Sequence, residues 1–220
     1  IWVLSQLEGG NLAYNMPGAV RLKGDLDVLK FEEAFRRLIN RHEILRTNFK
    51  VNESEEIHQY ITEEEVFEFN LLEKDVTNHT KEDVEQFLEE DHAIAFDLEN
   101  DLLLRAALFK TKEREYIFSL TMHHIISDGW SMELLISEVI SMYNNLVQNK
   151  EYNLPKLEIQ YKDYTIWLES ELTKEDYKVS EKYWLSQFEG ELPILDLPSF
   201  KNRPKVQTYN GKTLNHTFST

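Results

Sequence analysis

The sequence predicts an α/β fold, on three observations. Strand-like and helix-like periodicities alternate along most of the chain. Residues 116–122, Tyr-Ile-Phe-Ser-Leu-Thr-Met, form a run expected of a strand with apolar neighbours on both faces. After a short loop, Leu134, Leu135, Ile136, Val139, Ile140 and Tyr143 recur at helical spacing, giving a strongly apolar helix expected to pack against that sheet.

The elements follow in order. Residues 19–23 read as a short strand, and Gly24 and Asp25 lead into a helix from Val28 that carries Phe31, Phe35, Leu38 and Ile39 on one face. That helix ends within residues 41–45. Residues 46–51 and 57–61 then read as a hairpin around the polar, acidic tip 52–56. Thr80 and Asp83 form a capping box, with Asp where Glu is more usual, and open a helix that turns Val84, Phe87 and Leu88 inward. Residues 103–109 and 116–122 form a second hairpin across the charged turn 111–115. Its second strand runs directly into His123 and His124, which places two imidazoles at the C-terminal mouth of a buried strand. Beyond Asn149 the sequence reads as shorter helices at 161–172 and 175–188. A proline-bearing linker follows at 192–204, then a strand-like pattern at 211–220.

Composition excludes several function classes. A net charge of -16, from 40 acidic against 24 basic residues, opposes binding to a phosphate backbone, which relies on Lys and Arg to displace counterions. The acidic stretches 63–65 and 82–91 read as solvated faces. No apolar run approaches the roughly 20 residues of a membrane span, and the N-terminus lacks a secretory pattern, so no membrane partner and a cytoplasmic location are expected. With no cysteine, the chain has no disulfide, no thiolate nucleophile and no zinc site of that kind.

The chemistry concentrates in His123-His124-Ile-Ile-Ser-Asp128-Gly129. Histidine titrates near neutral pH, and one held at a strand end can take a proton from an attacking amine or hydroxyl, an assistance worth roughly 100-fold to 10,000-fold in rate. Asp128 has two readings. It either orients His124, as in a triad, or turns away and holds the loop through an arginine, and the second is preferred. Gly129 is expected to permit a sharp turn. Metal binding by His123, His124 and Asp128 is disfavoured because adjacent residues of an extended segment point to opposite sides.

Residues 122–131, Met-His-His-Ile-Ile-Ser-Asp-Gly-Trp-Ser, closely resemble the His-His-x-x-x-Asp-Gly motif of nonribosomal peptide synthetase condensation domains. Arg41-His-Glu-Ile-Leu-Arg-Thr-Asn-Phe49 resembles a second motif of that family, and Tyr161-Lys-Asp-Tyr-Thr-Ile-Trp167 a third, in the family's order and approximate spacing. The resemblance implies a chloramphenicol acetyltransferase-like lobe, a central mixed β-sheet flanked by helices. Residues 1–172 would form the N-terminal lobe, and 173–220 the linker helix and start of the C-terminal lobe.

It further implies amide bond formation between a donor acyl or peptidyl thioester and an acceptor aminoacyl amine, both delivered by peptidyl carrier proteins. The 4'-phosphopantetheine arms belong to those partners, and this chain is expected to bind no cofactor or metal. An adjacent adenylation domain and the C-terminal lobe of the same polypeptide are the other implied partners. By the same resemblance His124 is the base or the amine-positioning group, His123 and Asp128 shape the loop, and Gly129 leaves room for the donor arm. Arg46 is expected to support the site by pairing with Asp128, while Arg41 stays open between that kind of role and a surface charge. Tyr161, Tyr164 and Trp167 are expected to pack in a core. Two other readings remain, a silent condensation-like docking module and a related acyltransferase with a hydroxyl acceptor. The isolated chain, lacking the second lobe, is expected to be inactive.

Overall fold

The computed structural model describes residues 1–7, 10–151, 154–193, 214 and 216. Two compact units are distinguished, Ile1–Lys162 and Asp163–Thr220. The first holds a four-stranded sheet in the order β1 (Asn15–Lys23), β6 (Glu115–His123), β5 (Leu104–Lys112), β4 (Leu72–Asp75), preceded by two single-turn helices, α1 (Trp2–Ser5) and α2 (Gly10–Ala13). β6 is antiparallel to both neighbours, whereas β4 runs parallel to β5 across the helix α4 (Lys81–His92), so the sheet is mixed.

β1 begins four residues earlier than its sequence pattern suggests, because Pro17 and Gly18 are tolerated inside it. It is the edge strand, where a residue lacking an N–H removes no interior ladder bond. β4 has no sequence signature, since Leu-Glu-Lys-Asp shows neither an apolar run nor β-branched residues, and its pairing with β5 defines it.

One face of the sheet is covered by α3 (Val28–Arg41) and α5 (Gly129–Val147). α3 is capped by the Asp27 side chain and buries Phe31, Phe35, Leu38 and Ile39 against Leu104, Leu108, Phe118 and Met122. Phe31 meets Phe35 and Phe118 edge to face, at centroid distances of 5.3 and 5.1 Å. α5 departs from the sequence reading. Leu135, Val139 and Met142 are buried, but Leu134, Ile136 and Ile140 are 49%, 47% and 51% exposed. Consecutive residues rotate by about 100° around a helix, so Leu134, Leu135 and Ile136 cannot share one face. Ile136 and Ile140 instead line an apolar cavity of about 290 Å³ bounded by Val20 and Met122.

The opposite face of the sheet is covered by α4, which packs Val84, Phe87 and Leu88 on Val76, Ala107, Phe109 and Ile117. The Thr80–Asp83 capping box is formed, each side chain accepting the other residue's amide. A separate hairpin, β2 (Thr47–Val51) and β3 (Ile57–Ile61), follows a 3-10 turn at Glu43–Arg46.

The second unit contains most of α6 (Tyr161–Leu172) and all of α7 (Glu175–Gln187), neither of which buries a side chain. Tyr161, Tyr164 and Trp167 are 48%, 44% and 53% exposed, so the expected core packing of these rings is corrected. The expected linker and final strand fall almost wholly outside the described residues. No described helix is long and apolar enough to cross a membrane.

Candidate active site

β6 carries His123 to the end of the sheet and the chain then leaves it at His124. The His123 amide donates to the Leu103 carbonyl at 3.0 Å, on the β5 side, and the His124 amide donates to the Tyr14 carbonyl at 2.8 Å, on the β1 side. Successive residues are thus anchored to opposite neighbours, and the strand's alternation sends their rings to opposite faces. His123 is fully buried on the α4 face and His124 is exposed.

The buried ring is structural. Its Nδ1 accepts the Ile125 amide at 3.2 Å, and the rings of Tyr14 and Phe96 lie 6.1 and 6.2 Å away. Burial, reinforced by the neighbouring His124, pushes the His123 pKa down to about 4, so this imidazole is neutral at physiological pH. On the same face of β6 lie Ser119 and Thr121, both fully buried. The strand is therefore buried on both sides as expected, but one of those sides is polar.

The exposed ring is the chemically available one. Nδ1 of His124 lies 2.9 Å from the Ser127 carbonyl, which can only accept, so Nδ1 holds the proton in the neutral ring. Nε2 is left with its lone pair. The turn that makes this possible is tight, with the Ile126 amide donating to the His123 carbonyl at 3.1 Å.

Asp128 does not orient His124. Its carboxylate caps α5, accepting the Ser131 amide at 2.8 Å and the Ser131 hydroxyl at 2.6 Å. These bonds, the hydroxyl first, hold its pKa below the usual carboxylate range. The expected pairing with Arg46 is also corrected. The Arg46 guanidinium is buried, donates to the Thr62 carbonyl and lies 3.7 Å from Glu64, tying the 3-10 turn to the end of the β2–β3 hairpin. Oδ1 of Asp128 accepts both Ser131 bonds at the head of α5, while Arg46 is held at the hairpin by Thr62 and Glu64. The signal was present in the sequence, in an Asp followed three residues later by Ser at the head of an apolar helix.

Gly129 has no positive φ, so the sharp-turn argument for it fails; it is the first helical residue of α5. A Cβ there would meet no atom within 4 Å, so the glycine leaves open space beside the loop.

The motif at 41–49 proves to be a clasp. Arg41 Nε donates to Glu138 at 3.1 and 3.2 Å and Nη1 to the Pro155 carbonyl at 2.7 Å; His42 Nε2 lies 2.6 Å from the same carboxylate. Arg41 is therefore no free surface charge. Thr47 donates to the Glu43 carbonyl at 2.7 Å, and Lys162 pairs with Glu43 at 2.7 Å. Glu138 went unnoticed in the sequence because it sits alone among apolar residues of α5, yet a lone carboxylate inside an apolar helix face is itself a sign of a buried partner.

A family model described as the condensation domain matches residues 1–220. The chain is 41% identical to bacitracin synthase 2 of Bacillus licheniformis over 211 residues, which are 96% of this chain and 8% of that protein. Among solved structures, the X-domain in its complex with OxyB from teicoplanin biosynthesis superposes with a TM-score of 0.81 at 29% identity, over 92% of this chain and 44% of that one. The starter condensation domain of rhizomide synthetase RzmA shares the fold, with a TM-score of 0.77 at 20% identity over 86% of this chain and 46% of that one. The chain thus spans under a tenth of that synthase and somewhat under half of each solved domain. By the match along its whole length and by its chloramphenicol acetyltransferase-like fold, it belongs to the condensation-domain family of nonribosomal peptide synthetases.

Proposed function

We propose that this chain is the histidine-bearing lobe of a domain that forms amide bonds between two carrier-bound thioesters. Residues 1–172 make up that lobe, and 173–220 begin the passage into the second. The observation that carries the reading is the fixed tautomer of His124: with Nδ1 donating to Ser127, Nε2 presents a lone pair on an exposed ring.

The acceptor's amine attacks the donor thioester carbonyl, a C–N bond forms, and collapse of the tetrahedral intermediate breaks the C–S bond. Nε2 of His124 accepts the hydrogen bond of the amine and orients it, or takes its proton and returns it to the departing thiolate. An acceptor lone pair at that position serves either role. His123 and Asp128 shape the loop, Gly129 leaves room for the donor arm, and Arg46 supports the neighbouring hairpin. The two 4'-phosphopantetheine arms arrive on donor and acceptor carrier proteins. An adenylation domain and the second lobe complete the module, which works in the cytoplasm.

The test uses the complete domain with loaded carriers. His124→Ala is expected to lower single-turnover amide formation 100-fold or more; unchanged turnover would overturn the proposal. The isolated chain is expected to form no product, since the approach to His124 needs the other lobe.

One finding favours a second reading, a docking module. The structurally similar X-domain was solved in complex with another protein, OxyB. A docking module would keep its function in the His124→Ala variant.

A further inference from the structure

Besides Arg105 Nε on β5, three polar atoms on the α4 face of the sheet are buried without a hydrogen-bond partner among the described residues: Nε2 of His123, Oγ1 of Thr121 and Oδ1 of Asn15. They are neighbours by register. Asn15 stands directly across from His123 in the β1–β6 ladder. The next pair along, Tyr14 and His124, is joined by a main-chain hydrogen bond, so Asn15 and His123 form the narrow pair, with Cα atoms about 4.5 Å apart and side chains closest. Thr121 lies two residues back on β6 and shares their face.

Their chemistry is complementary. His123 Nδ1 accepts from Ile125, which places the proton of the neutral ring on Nε2 and makes it a donor. Asn15 Nδ2 donates to the carbonyls of His92 and Ile94 at 3.0 and 2.9 Å, which fixes Oδ1 as an acceptor. The Thr121 hydroxyl takes either role. The three atoms are themselves buried; His123 and Thr121 are 0% exposed, whereas the Asn15 residue is partly exposed.

We infer that an ordered water molecule bridges β1 and β6 here, accepting from His123 Nε2 and donating to Asn15 Oδ1 and Thr121 Oγ1. Three partners are the usual number for a buried water. The bridge fixes the His123 ring, the ring holds the Ile125 amide, and that amide follows His124 directly, so Asn15 and Thr121 are positioning residues for the amine-facing histidine. This role rests on the reading of His124 given above, whereas the water site itself does not.

A high-resolution crystal structure of the complete domain and the Thr121→Val variant test it together. The expected density is one water within hydrogen-bonding reach of all three atoms. A direct His123–Asn15 bond, or a dry contact, overturns the inference. The Thr121 hydroxyl has no partner among the described residues, so valine separates the cases in solution. If the hydroxyl holds the water, the urea midpoint falls and kcat drops several-fold at unchanged KM, with Thr121→Ser restoring both. If the hydroxyl is merely unpaired, valine raises the midpoint and leaves kcat alone, which overturns the inference. Should the water be present while His124→Ala remains active, the water site stands and the catalytic reading fails.

Discussion

Asp128 is bound to Ser131 twice, through the amide at 2.8 Å and the hydroxyl at 2.6 Å, and makes no hydrogen bond to His124. The invariable part of its task is therefore to be an acceptor at the head of α5. Asp128→Asn is expected to retain most stability and activity, whereas Asp128→Ala lowers the thermal midpoint by a few degrees and slows turnover by loosening the loop. Thermal melts and single-turnover rates of both variants check this; an Asn variant as damaged as Ala would give the charge a role of its own.

Glu138 holds Arg41 and His42 in a region where all three side chains are 11–12% exposed. Glu138→Ala leaves a buried guanidinium without its counter-charge and is expected to cost about 3 kcal/mol in urea denaturation. Glu138→Gln keeps the acceptor and is expected to cost less.

His123 makes stability depend on pH. Its folded pKa lies near 4, below the ordinary 6.5, so between those values the unfolded chain binds a proton that the folded chain does not. The contribution is complete above pH 6.5 and is lost as the pH falls towards 4, a decline of about 3 kcal/mol over the window. His92, shifted down by burial, adds to the slope in the same direction. Denaturation midpoints of wild type and His123→Gln across this range are expected to diverge, the variant showing the shallower slope.

Gly129→Ala separates fold from function. The new methyl meets no atom within 4 Å and sits at a helical position, so stability is expected to rise by up to about 1 kcal/mol. If a donor arm uses that space, amide formation by the complete domain falls about tenfold, on the order of the cost of one misplaced contact. Equal turnover would show the space to be unused.

The local patterns of the sequence carried far. The α3 face, both hairpins, the Thr80–Asp83 box and the strand leading to His123 all depend on neighbours within a few residues, and all are present. What stayed hidden depends on partners far away in sequence. β4 exists through its pairing with β5, β1 extends through Pro17 because only an edge tolerates it, and Glu138 is explained by Arg41, 97 positions earlier. The site divides along the same line. An imidazole at a strand mouth was legible from the residues alone. Asp128's attachment to Ser131 is legible too, from an Asp placed three residues before a Ser at the head of an apolar helix. The tautomer of His124 was not, since it is set by where one carbonyl, that of Ser127, happens to point.

The antiparallel ladder that joins Asn15 to His123 also sets a schedule for synthesis. β1 is made before β6, and the mid-ladder partners Ala19 and Ser119 lie 100 residues apart, so closing that loop is among the slower steps available to the chain. Until β6 arrives, β1 is a bare edge and neither His123 nor His124 has been placed. The corner that holds both histidines is therefore completed in a single long-range closure, whereas α3 and the small hairpin need only contacts between residues near one another in the chain.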